Sequence, residues 1–155
     1  MTISTTITKN SYSGNGSTSV FQYTFKIALD SEIQVIIRAS NGTETVKTIT
    51  THYTVSGAGN ASGGNVTFTA GNIPASGETV IIRRNTGQTQ TLDLVENDPF
   101  SAETVEGAFD KSISLVQELQ EQLDRSIKVS RSTTLNTPEI TNDASARAGK
   151  LLGFD

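Results

Sequence analysis

An acidic cluster, a lone histidine and a glycine-rich loop are the stretches of this sequence whose residue types could carry chemistry. Asp93, Glu96 and Asp98 gather in DLVENDPF, and a carboxylate pair is what glycoside hydrolysis or hard-cation binding would use. They lack the alternating oxygen ligands and closing glutamate of a calcium loop, and capping and solvated linker charge account for them. His52, beside Tyr53, is the only histidine, so a Ser-His-Asp triad would have to rest on it, yet no G-x-S-x-G elbow accompanies it. It reads as a strand-end histidine. The loop GAGNASGG places Ser62 where the third glycine of a dinucleotide fingerprint would stand, and NVTFTA after it alternates as a strand instead of opening a helix. It reads as a hairpin loop. With no cysteine in the chain, disulfides, thiolate metal sites and cysteine nucleophiles are all closed. The expectation is a protein that is not an enzyme, with no catalytic residue, cofactor or metal.

The elements around these residues are mostly short strands. VFQYTFKI sets Phe21, Tyr23, Phe25 and Ile27 on one face at period two, and EIQVIIRA does the same with Ile33, Val35 and Ile37. Asn41-Gly42 then supplies a hairpin turn before ETVKTIT, so those two runs should pair. THYTVSG, NVTFTA and TVIIRR read as further strands, and Val66, Phe68 and Ile81 join the expected core. A mainly β protein follows, with an antiparallel sandwich-like head. In 155 residues, 34% hydrophobic and 18% charged, one such domain plus an extension is expected. A formal charge of -4 and a pI near 5.0 offer no basic stripe for nucleic acid. No apolar run approaches the roughly 20 residues of a membrane helix, and the first residues lack a secretory apolar core, so neither nucleic acid nor membrane is an expected partner. Four Asn-x-Ser/Thr tripeptides, at Asn15, Asn41, Asn60 and Asn65, are a by-product of a Ser/Thr-rich composition.

The long stretch Val95–Lys128 is different. Asp98 can cap a helix with Pro99 in its first position, or Ser101 can cap it with Glu103 in the first turn. Beyond that point Val105, Phe109, Ser112, Val116, Leu119, Leu123 and Ser126 alternate by four and three, the spacing of a coiled-coil seam, with Ile113 and Ile127 in a second column. A helix reaching Lys128 would be roughly 40 Å long, and such a helix should project from the head. The widened apolar face favours bundles of more than two helices; the alternative is a helix that folds back over its own sheet. Arg83 and Arg84, closing the last strong strand, could mark a partner-docking edge or merely protect an edge strand with charge. The tail from Val129 onward, with Pro138 and a short apolar end, reads as a junction to something else.

The order FQYTFKI, then THYTVSGAGNASGGNVTFTAGNIPASGETVIIRRN, then LVENDPFSAETVEGAFDKSISLVQELQEQLDRSIK, resembles the N-terminal virion-anchoring domain of tail fibres and tailspikes from short-tailed bacteriophages, over about Thr2 to Lys128. The closing ARAGKLLGFD resembles the junction that follows this domain. The resemblance implies a β head at 1–95, a helix at 96–128 forming a trimeric parallel coiled coil that starts the shaft, and an extended junction at 129–155. It implies a homotrimer fastened to tail adaptor and nozzle proteins in the virion, made in the host cytoplasm, with a distal receptor-binding region beyond Asp155, on the same chain or on another fibre. The sequence departs from the family pattern at His52, where an acidic residue is expected. A β-sandwich module that binds carbohydrate or protein is the competing expectation.

Overall fold

The structure, a computed structural model, describes residues 3–90, 92–93, 101–128, 130–132 and 134. Its elements are β1 (Lys9–Ser13), β2 (Val20–Tyr23), a 3-10 turn (Asp30–Glu32), β3 (Ile33–Arg38), β4 (Glu44–Lys47), β5 (Tyr53–Ser56), β6 (Gly64–Phe68), β7 (Thr79–Arg84) and α1 (Ala102–Asp124). Two antiparallel sheets result, ordered β1-β7-β3-β4 and β2-β6-β5. The chain divides into one compact unit over Met1–Asp124 and a second over Arg125–Asp155. Ser130 and Ser132 bond to one another through their hydroxyls in the second unit.

Alternation makes the core. Phe21 and Tyr23 of β2, Ile33, Val35 and Ile37 of β3, Tyr53 of β5, Val66 and Phe68 of β6, and Val80 and Ile82 of β7 are buried together. Their neighbours along each strand point outward, as the period of two requires. Phe25 and Ile27 keep the rhythm of β2 and stay buried although the strand has already ended at Tyr23. The Asn41-Gly42 turn joins β3 to β4 as expected: Gly42 has φ +87°, Asn41 Oδ1 accepts from Thr43 N at 3.0 Å, and Arg38 faces Glu44.

The phase of β7 differs from the sequence expectation. Ile81 is only half-buried and faces Ile36 on the outer side of its sheet, while Val80 and Ile82 face inward. Three consecutive branched residues fit either register, and the residue that breaks the tie, Arg84, is itself buried. The strand β1 was not foreseen, because KNSYS carries no apolar alternation. Polar bonds tie the two sheets across the core: the Tyr53 hydroxyl donates to the Ile33 carbonyl at 3.0 Å, and Asn10 Oδ1 accepts from Thr24 N at 3.0 Å. The glycine-rich loop serves packing. A Cβ on Gly63 would stand 2.0 Å from the Tyr23 carbonyl oxygen, and one on Gly64 would stand 2.0 Å from that of Ser56, so backbone approaches backbone where a side chain cannot fit.

Candidate functional site

The helix α1 holds the most unusual chemistry of the molecule. Of the two caps foreseen, Ser101 serves: its Oγ accepts from Thr104 N at 3.3 Å and its carbonyl from Val105 N at 3.2 Å, and Glu103 lies in the first turn. Asp98, with Pro99 and Glu96, lies outside the described residues. The helix is shorter than the sequence suggested, ending at Asp124, so its length is about 34 Å at 1.5 Å per residue.

It does not stand clear of the head. Asp110, Ser114 and Glu118, spaced by four and therefore stacked on one face, are the buried residues of the helix. Glu118 receives most of the bonding. Arg84 Nε donates to its Oε1 at 3.0 Å, with the two side chains only 1% and 9% exposed, and Thr86 gives it both a backbone N–H at 3.1 Å and a hydroxyl at 2.5 Å. The remaining Arg84 guanidinium N–H groups reach Gln117 Oε1 at 2.7 Å, the Ser114 carbonyl at 3.2 Å and the Lys26 carbonyl at 3.4 Å. A second ion pair joins Lys26 to Asp110 at 2.6 Å, and a third, more exposed, joins Lys9 to Glu121 at 2.8 Å. The N-terminal segment is caught between: Ile3 N donates to Asp110 Oδ1, and Gln117 Nε2 donates to the Thr5 carbonyl. Among the described residues no buried side-chain polar atom lacks a partner. Taking charges out of water is offset only by geometry this complete, and removal of one member leaves the other stranded at roughly 3 to 5 kcal/mol.

The apolar seam lies on the other side of the helix. Phe109, Val116, Leu119 and Leu123 are 68%, 62%, 57% and 46% exposed, with Ile113 at 49%. Val105 is half-buried, Ser112 is exposed, and Ser126 belongs to the second unit. The helix thus docks through charge and turns most of its large hydrophobic residues outward, the reverse of an amphipathic helix covering its own sheet.

Arg83 and Arg84 do not form an edge. Their strand runs between β1 and β3, so neither the docking edge nor the charge-protected edge applies. Arg84 is the centre of the clamp; Arg83 alternates to the outer face, opposite Lys9 and Gln34. The clamp could have been suspected from Arg84 sharing a strand face with Val80 and Ile82, and from Asp110, Ser114 and Glu118 recurring opposite the seam.

The other chemistry-bearing residues that are described make local contacts or lie exposed. His52 Nδ1 lies 2.9 Å from Thr48 N, which donates to it, and so closes a tight turn in which Thr50 takes φ +69°. A carboxylate oxygen could accept that same N–H, which explains how histidine can stand where the family pattern led to an acid. Asp93 is exposed. Burial holds the Tyr23 hydroxyl proton up to a pKa of about 12, with the nearby Asp30 charge adding to it, and burial raises Tyr53 as well. Among the described residues no group of three or more His, Asp or Glu gathers to hold a metal ion.

No family model matches the chain. It is 37% identical over 129 residues to the tail spike protein of Salmonella phage epsilon15, a stretch that is 83% of this chain. The chain is thus similar, over most of its length, to part of a phage tail spike protein. The chain spans about 12% of the length of that tail spike protein.

Proposed function

We propose that the chain is the anchoring module of a trimeric phage tail fibre or spike. The β head fastens to adaptor and nozzle proteins of the tail, α1 gathers three parallel copies into the start of a shaft, and residues 129–155 lead to a distal region that meets the host. Its role is attachment, without catalysis.

The observation that carries this reading is the outward apolar seam, set opposite a completed polar clamp. With Phe109, Val116 and Leu123 at heptad positions a and Val105, Ser112 and Leu119 at d, the clamp residues fall at b (Asp110, Gln117), c (Glu118) and f (Ser114, Glu121). Those are the positions a coiled coil leaves on its outside. The head packs against that side and leaves Phe109, Val116, Leu119 and Leu123 of the a and d columns exposed, so three helices could meet with a head on the back of each. The flanking e and g positions at this level, Ile113, Ala108 and Leu115, carry no charge to repel a neighbour, and their apolar character favours more than two helices. Sedimentation of the purified chain over a range of concentrations tests the reading. A trimer is expected at micromolar protein; a monomer there would overturn the shaft, and failure of the trimer to bind purified adaptor and nozzle proteins would overturn the anchor.

A further inference from the structure

Beside the helix, on the flank between clamp and seam, lies a groove of about 610 Å³. One wall is the helix, through Ala108, Lys111, Ser112 and Leu115; the other is the segment that follows β7, through Thr89 and Leu92. That second wall is pinned. Lys111 Nζ donates to the Thr89 carbonyl at 2.5 Å, and three residues earlier Thr86 is bonded to Glu118. The groove is therefore built by the same contacts that hold the helix, and at Ser112 it is continuous with the seam.

Heptad geometry says what should enter it. Ala108 and Leu115 are g positions, and in a parallel coiled coil a g residue faces the e residue five places on in the adjacent chain. For Ala108 that residue is Ile113. Ile113 is 49% exposed and lies about 160° around its own helix from Leu115, so it cannot reach the groove of its own chain. We infer that the groove receives Ile113 of a neighbouring copy, which makes the segment after β7 an outer layer of the three-chain interface. This rests on the parallel three-helix reading of α1 and adds a contact that the seam alone does not require.

The chain lacks cysteine and tryptophan, so introduced ones report without background. A Leu119→Cys chain tests the seam, because d residues of parallel copies meet; oxidation should link chains. A Leu92→Cys, Ile113→Cys double variant tests the groove. Its cysteines lie on opposite flanks of one helix, so oxidation should yield linked dimers and closed trimers, not an internal bond. Cross-linking through position 119 without cross-linking through 92 and 113 overturns the groove contact and leaves the seam intact; a monomer that links through neither overturns both. As a second measurement, Ile113→Trp in the assembled protein should emit as a buried indole, and adding Leu92→Ser with Leu115→Ser should shift that emission to the red. An indole already solvated before the serines are added also overturns the contact.

Discussion

Inside the head, two sheets meet through aromatic and aliphatic side chains, and polar bonds from Tyr53, Asn10 and Tyr12 join one layer to the other. At the junction between head and helix the proportions are inverted: Arg84, Glu118, Asp110 and Lys26 make the buried contact, and Phe109, Ile113, Val116, Leu119 and Leu123 of the helix stay exposed. Apolar burial is indifferent to direction and roughly proportional to area, so it holds a core without fixing a unique partner. A guanidinium forked between a carboxylate, an amide and carbonyls is directional. The head is thus stabilised by area, whereas the helix is aimed by geometry and leaves apolar area of its own exposed.

Changes on either side of the helix should break this contrast in different ways. Truncating Leu119 and Leu123 together to Ala should cost the most, roughly 2 to 5 kcal/mol for each side chain if they are packed in an assembly, repeated in every copy. Sedimentation should then show loss of the proposed trimer, while circular dichroism retains the β signal of the head. If the mass is unchanged, the head holds the copies together instead.

Arg84→Ala should come next, at about 3 to 5 kcal/mol, because Glu118 would be left buried without its counter-charge. Hydrogen exchange should rise across 102–124 well before it rises in β3 or β7. Replacing both partners by apolar residues, Arg84→Met with Glu118→Leu, should recover much of the loss; equal damage from the single and double changes would mean that the aim of the helix depends on something other than the pair.

A smaller effect belongs to the core alone. Tyr23 donates its hydroxyl to the Ser56 carbonyl at 2.9 Å, and its pKa is raised from 10.0 to about 12. The native state therefore holds that proton more tightly than the unfolded chain does. The resulting stability is whole below pH 10 and is lost as the pH climbs from there through the folded value, roughly 2 to 3 kcal/mol in all. Urea midpoints should fall over this range, and Tyr23→Phe should flatten the fall, leaving the share due to Tyr53.

The least effect is expected at His52. His52→Ala removes the acceptor for Thr48 N at a cost of about 1 kcal/mol, and His52→Asp should restore most of it. Thermal melts of the three proteins decide this; an aspartate no better than alanine would show that the turn does not depend on an acceptor there.

Much of the β head was legible because alternation was written cleanly: Phe21, Tyr23, Ile33, Val35 and Ile37 each fall on the inner face, and Asn41-Gly42 turns where it should. Legibility failed where the physical determinant was non-local. β1 is a strand because β7 needs a neighbour, and Ile81 was misplaced because its run of branched residues carries no phase. The helix showed its seam but hid its clamp, since Asp110, Ser114 and Glu118 look like any solvated face until Arg84 and Lys26 are brought to them from more than 30 residues away.

The spacing of the clamp has a mechanical consequence. Lys26 grips the helix at Asp110 and Lys9 grips it at Glu121, points about 16 Å apart along the axis, with the Arg84 cluster between them. A rod pinned at a single point pivots; one pinned at two resists torque. A sideways pull at the C-terminal end of α1 would load the two grips in opposite senses and be carried into β1 and the segment after β2, instead of being lost in a hinge, so that the head would feel which way its helix leans.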